Sequence, residues 1–123
     1  VVACLVFGPL STRKFLSDEL TRKRINEFGG RLIDELIEEP NIVNFMKFSR
    51  QFAEHVGLIT SKVRNVLNAA DKANFVCSMP MFGEAVFTLT NRERLDEILK
   101  IFAHGASGKT VISEIACEGA RLL

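Results

Sequence analysis

The spacing of apolar residues changes several times along the chain, and each change marks an element. Residues 1–7 are apolar and rich in Val with almost no alternation. That pattern predicts a strand in a sheet interior or covered on both faces, closed by Gly8-Pro9. Ser17 is a candidate helix cap followed by Asp18 and Glu19, where negative charge meets the helix dipole favourably. Apolar residues then recur at Ile25, Phe28, Leu32 and Leu36, which predicts a helix to about Glu39. Gly29-Gly30 falls inside it and requires either a bend or another backbone packed close. Pro40 stops this helix, and Asn41 caps the next, with Phe45, Phe48, Phe52 and Val56 on one face before Gly57. Thr60 or Ser61 opens a third helix on Val63, Val66, Leu67 and Ala70.

The period then shortens. Residues 75–79 and 84–89 read as two strands joined around Pro80-Met81-Phe82-Gly83, a hairpin. Thr90 and Glu93 have capping-box spacing ahead of a helix that buries Leu95, Ile98, Leu99 and Phe102 and closes at His104-Gly105. Residues 109–116 form a last strand rich in Val and Ile. With the three early helices counted as one layer, the order is βαββαβ. This is the α+β, ferredoxin-like split arrangement: a four-stranded antiparallel sheet with an enlarged helical layer on one face.

Composition points to one domain over residues 1–123. The chain is 47% hydrophobic and 25% charged, values that exclude disorder, collagen-like repeats and a coiled coil. A chain of this size buries roughly two-thirds of its unfolded surface, so its core needs no disulfide or structural metal. Sixteen Lys plus Arg against fifteen Asp plus Glu leave +1 without long blocks of either sign, which disfavours nucleic acid. All ten aromatics are Phe, with no Trp or Tyr to offer a base both a stacking face and a polar handle. Cys4, Cys77 and Cys117 lack C-x-x-C spacing and read as buried thiols of a reduced, cytoplasmic protein. The opening apolar run is too short for a bilayer and lacks the basic flank of a signal peptide, so no membrane is implied. It does read as the interior of something longer, since a buried strand is an unusual terminus.

Candidate chemistry is sparse. Gly105-Ala106-Ser107-Gly108-Lys109-Thr110 ends like a phosphate-binding P-loop, but position 103 is Ala where the pattern needs Gly. The context is also reversed, because this loop follows a helix and enters a strand. His55 and His104 lie near helix ends with no second ligand or base at helical spacing, and read as structural. Two stretches at strand ends stand out. Ser11-Thr12-Arg13-Lys14 puts two hydroxyls and two cations directly after the first strand, either to hold an anionic or hydroxylated small molecule or as a solvated basic tip. Ser78-Met79-Pro80-Met81-Phe82-Gly83-Glu84 exposes apolar side chains unless a domain or a ligand covers them. Neighbouring strands can bring both stretches to one shared site.

Together with Arg24-Ile25-Asn26, Asn44-Phe45-Met46, Phe52-Ala53-Glu54 and the closing Glu118-Gly119-Ala120-Arg121, these two stretches resemble the C-terminal half of the archaeal pantoate kinases, within the GHMP kinase superfamily. The resemblance runs across nearly the whole chain. It implies a ferredoxin-like C-terminal domain and an ATP-dependent, Mg2+-dependent phosphorylation of pantoate to 4-phosphopantoate on the way to coenzyme A. It implies that Ser11, Thr12, Arg13 and Lys14 border the acceptor, Thr12 as a hydroxyl orienting it and the cations as neutralisers of carboxylate or phosphate. It also implies that Ser78, Met81, Gly83 and Glu84 belong to a loop that closes over nucleotide and substrate, although that loop is usually richer in glycine than here. The superfamily's phosphate loop and its magnesium-binding or activating carboxylate belong to an N-terminal ATP-binding domain that this sequence lacks. No catalytic residue and no metal ligand is therefore expected within residues 1–123, and the chain alone is expected to be inactive. The partners implied are pantoate or a similar hydroxy acid, that N-terminal domain and a homodimer mate. Two other classes fit the residues alone, a free-standing effector-binding module and a dimerisation domain; within the superfamily, mevalonate and homoserine kinases are the alternatives.

Overall fold

The computed structural model describes residues 1–81, 83–105 and 107–122, with the backbone alone of Thr12. In chain order it contains β1 (Val2–Pro9), α1 (Thr12–Leu16), α2 (Glu19–Glu38), α3 (Ile42–Val56), α4 (Ser61–Lys72), β2 (Gly83–Leu89), a 3-10 turn (Arg92–Arg94), α5 (Leu95–Gly105) and β3 (Lys109–Ser113). The sheet has three antiparallel strands in the order β2-β1-β3. β1 is thus the interior strand that its apolar run requires, but one face alone is sealed. Ala3 and Leu5 are buried with Val86 and Thr88 of β2, whereas Val6 and Val111 on the other face are exposed. The main core forms where α4 and α5 meet the closed face: Val63, Val66, Leu67 and Ala70 against Leu5, Val86, Ile98 and Phe102. Each such fully buried aliphatic or aromatic side chain contributes about 1.5–3 kcal/mol.

The expected fourth strand is not a strand. Residues 75–79 touch β2 through one isolated bridge, in which Ser78 and Phe87 exchange backbone hydrogen bonds at 2.9 and 2.8 Å. The reason lies in the neighbouring side chains. Thr88 Oγ1 donates to the Val76 carbonyl at 2.8 Å, where a ladder would bring the Leu89 amide, and Arg50 holds the neighbouring Cys77 carbonyl at 2.9 Å on the edge away from β2. Pro80 then has no N–H to continue the pairing. The segment remains in the core, with Phe75, Cys77 and Met79 all buried.

Several local expectations also shift. The stretch after β1 begins a short helix, α1, capped by Ser11, whose Oγ accepts from the Lys14 amide at 3.4 Å. Ser17 ends that helix instead of opening the next; α2 is capped by Asp18, which accepts from the Thr21 amide at 3.0 Å. Before α5 the cap is Asn91, accepting from the Arg94 amide at 3.0 Å, not Thr90. Asn41 and Thr60 cap α3 and α4 as their positions predict, and Gly57 ends α3 with φ +75°. β3 stops at Ser113 and is exposed along its length. Cys117 is exposed and Cys4 half-buried, which leaves Cys77 as the buried thiol. Burial pushes Cys77 up to about 12, so it is not a thiolate nucleophile.

α2 passes through Gly29-Gly30 without breaking. A Cβ at Gly29 would meet the Phe52 ring at 3.2 Å, so close packing of α3 explains that glycine, while Gly30 meets nothing within 4 Å. The more demanding glycine is Gly108. A Cβ there would stand 2.8 Å from both the Val6 carbonyl oxygen and Leu5 Cδ1, and 3.1 Å from the Phe7 ring. Gly108→Ala should therefore lower the unfolding free energy by about 1–3 kcal/mol in urea titrations. Gly119→Ala, with open space around it, should change it by less than about 0.5 kcal/mol. Equal effects would show that β3 does not need the close approach.

Candidate functional site

The second sequence-predicted stretch lies beside the strand end from which the first departs, because β1 and β2 are antiparallel neighbours. Gly8 pairs with Glu84 and Pro9 with Gly83. The chain leaving β1 toward Ser11 thus lies beside the chain entering β2. An irregularity between Val6 and Gly8 adds one residue to β1 and changes its step just before this end. Such bulges re-aim a strand end next to a site.

Ser11, Arg13, Lys14 and Met81 are exposed there, and Gly83 and Glu84 are half-buried. Arg13 and Lys14 make no ion pair with a described residue. The Ser11 hydroxyl is engaged in capping α1; the Thr12 side chain and Phe82 lie outside the described residues. A Cβ at Gly83 would meet Pro80 Cβ at 3.9 Å, ordinary contact, so the fold's own packing does not require glycine there. Ser78 is placed differently: it is fully buried, and its hydroxyl has no partner among the described residues. An unpaired buried hydroxyl costs about 1–3 kcal/mol.

An open groove of about 550 Å³ lies between helices, lined by Phe28, Arg50, Gln51, Glu54, His55 and Asp71. His55 stacks on Phe28 with ring centroids 4.0 Å apart, in keeping with a structural role. Among the described residues no three His, Cys, Asp or Glu side chains gather to hold a metal ion. Glu84 is the single carboxylate of the candidate set, so the residues present do not make a Mg2+ site. No helix of the described residues is long and apolar enough to cross a membrane.

A positioning residue that the sequence reading overlooked is Arg50. Its Nε donates to Glu54 at 2.9 Å, one terminal nitrogen to Asp71 at 2.9 Å, and the other to Asp71 and to the Cys77 carbonyl. It thereby fastens α3, α4 and the segment leading into the Ser78 to Glu84 stretch. The i,i+4 spacing of Arg50 and Glu54 was the available signal. Arg64 joins the network through two 2.7 Å bonds to Glu54. Those bonds, aided by Arg50 and opposed by desolvation, hold the Glu54 carboxyl at about 2, below its ordinary 4.5.

No family model matches the chain. Three characterised relatives do, each named pantoate kinase. The protein of Methanocaldococcus jannaschii is 31% identical over 96 residues, which are 78% of this chain and 35% of that one. The protein of Methanospirillum hungatei JF-1 is 34% identical over 102 residues, 82% of this chain and 32% of that one. This chain is similar to one part of the pantoate kinases. The third relative, from Thermococcus kodakarensis, is 29% identical over 103 residues, 83% of this chain and 34% of that one. A solved structure described as a phosphotransferase related to the CoA biosynthesis pathway superposes with a TM-score of 0.82 at 27% identity, covering 95% of this chain and 38% of that chain. The chain spans about a third of the length of the pantoate kinases it matches.

Two outcomes test the Arg50 network. Arg50→Met should destabilise the chain by about 2–3 kcal/mol, because Asp71 and the Cys77 carbonyl lose a largely buried donor; a loss below 0.5 kcal/mol would mean the network is decorative. For pH, Glu54 has a folded-state value below its unfolded one. Its contribution is complete above about 4.5 and disappears as pH falls toward 2. Urea midpoints measured through that window should fall, and Glu54→Gln should flatten the slope.

Proposed function

We propose that the chain is the substrate-side, C-terminal domain of a GHMP-type kinase that transfers the γ-phosphate of ATP to the hydroxyl of pantoate. The observation that carries this reading is the pairing of Pro9 with Gly83, by which the strand end that leads into the Ser11 to Lys14 stretch lies beside Gly83 and Glu84. The similarity to pantoate kinases and to a phosphotransferase of CoA biosynthesis supports it. In this reading the described end of the sheet offers Thr12 to orient a hydroxylated acceptor and Arg13 and Lys14 to offset its charge. Charge neutralisation and hydroxyl activation are left to the remaining two-thirds of such an enzyme, which would hold ATP and Mg2+. The three-stranded sheet corresponds to the ferredoxin-like arrangement with its second strand reduced to the Ser78–Phe87 bridge.

The test is a chimera in which this chain replaces the matching segment of the Methanocaldococcus jannaschii enzyme. With ATP and Mg2+, the chimera should phosphorylate pantoate in preference to mevalonate and homoserine, while the isolated chain gives no turnover above background. Thr12→Ala in the chimera should lower kcat/KM about 10- to 100-fold if that hydroxyl positions the acceptor. Turnover by the isolated chain, or a chimera preferring another acceptor, would overturn the reading.

A further inference from the structure

The sequence around Gly105 to Thr110 fails as a P-loop, and the function proposed above makes no use of it. The structure nonetheless brings part of it to the same end of the sheet. Lys109, the first residue of β3, pairs with Val6, three positions before Pro9 pairs with Gly83 across the other edge of β1. Gly108 presses on β1 where the register changes, with space for no Cβ between it and Leu5, Val6 and Phe7. A residue with a side chain would push the strand entry away, so glycine here fixes where Lys109 sits. Because paired residues share a sheet face, Lys109 lies with Val6 on the open side of the sheet. It is exposed and makes no ion pair with a described residue, whereas Arg50, Arg64, Arg92, Arg94 and Arg121 each have a carboxylate within 4 Å. Lys109 lies three rows before the end of β1 and Arg13 and Lys14 four and five residues beyond it, and Glu84 is the one carboxylate of the three stretches.

We infer that Ser107-Gly108-Lys109 is a third wall of the candidate site, with Lys109 binding an anionic group of the small molecule, a carboxylate or a phosphate. Gly108 acts through the strand entry, as a positioning residue. The inference rests on the proposed function for its choice of ligand, but not for the placement of Lys109.

Amide chemical shifts of the 123-residue chain, followed during separate titrations with pantoate and with inorganic phosphate, test it. Amides of Ser107, Gly108 and Lys109 should move together with those of Ser11 and Gly83 in at least one titration. Lys109→Ala should weaken that ion's binding about five- to tenfold, and Lys109→Arg should restore most of it. Lys62→Ala, an exposed cation on α4, should change nothing. A loss in the pantoate titration assigns the carboxylate, and a loss with phosphate alone assigns the phosphoryl group. Unchanged binding of both ions in Lys109→Ala, or no movement at Ser107 to Lys109, overturns the inference. If pantoate moves Ser11 and Gly83 while Lys109→Ala binds normally, the kinase reading stands without it. If phosphate alone binds, and does so through Lys109, the anion site stands and pantoate as ligand falls. Binding of neither ion sinks both.

Discussion

β1 is hydrogen-bonded on both sides, and the arrangement of the candidate site depends on that. One ladder, to β2, places Gly83 and Glu84 against Pro9 and Gly8; the other, to β3, places Lys109 against Val6. Two stretches far apart in sequence are thereby held beside the end of β1 that leads into the Ser11 to Lys14 stretch. The extra residue between Val6 and Gly8 matters because strand side chains alternate with period two, so a single insertion reverses which face each later residue takes. The chain therefore leaves β1 out of step with the strand before it, and α1 starts only two residues beyond Pro9.

The side of the sheet beyond β2 is held differently. Where a fourth strand would lie, side chains grip the backbone. Arg94 donates to the Ala73 carbonyl at 2.9 Å and the Asn74 carbonyl at 3.3 Å while its guanidinium lies 3.8 Å from the Phe75 ring centroid. Thr88 holds Val76, and Arg50 holds Cys77. Asn74, at φ +58°, makes the reversal out of α4 that these bonds secure. A hydrogen bond from a charged donor contributes about 1.5–3 kcal/mol, as much as or more than a neutral ladder bond, so the segment gives up strand geometry at little cost. The loop entering β2 thus starts from an anchored point even though its own residues are at the surface.

Much of this was legible in the sequence where a local rule acts alone. Asn41, Thr60 and Gly57 sit at the helix ends their chemistry predicts, and the Val63, Val66, Leu67, Ala70 spacing names the buried face of α4 outright. Misreadings arose where two rules compete. Ser17 and Asp18 are both good caps by composition; the side chain of Asp18 reaches the Thr21 amide, while Ser17 terminates α1. The 75–79 stretch has the composition of a strand, but its pairing is decided by Arg50 and Thr88, which are remote in sequence. Phe45 sits on the expected apolar face of α3 and is exposed, whereas Met46, Ala53 and Val56 are buried. The adjacency of the β1 end to the start of β2 was readable in outline, from strand order. The part played by Gly108 was not, because the close approach of β3 to β1 leaves no trace in local spacing.

A division of labour follows from what the strand end contains and what it lacks. Cations and a hydroxyl-bearing turn suit the binding and orientation of a small anion, which needs donors and positive charge but no acid–base group. Transfer of a phosphoryl group needs more: charge on the moving group must be neutralised, and the attacking hydroxyl must be aligned and relieved of its proton. Glu84 is a lone carboxylate, and no cluster of acids stands near enough to share a metal ion among the described residues. Cys77 is held protonated by burial. On the proposed reading, groups that orient a substrate reside on this chain, which spans about a third of a pantoate kinase's length, while those that drive the transfer lie on a second surface. On the same reading the exposed side of β1 and β3, with Val6, Val111 and Lys109 on one face, is the side open to that second surface.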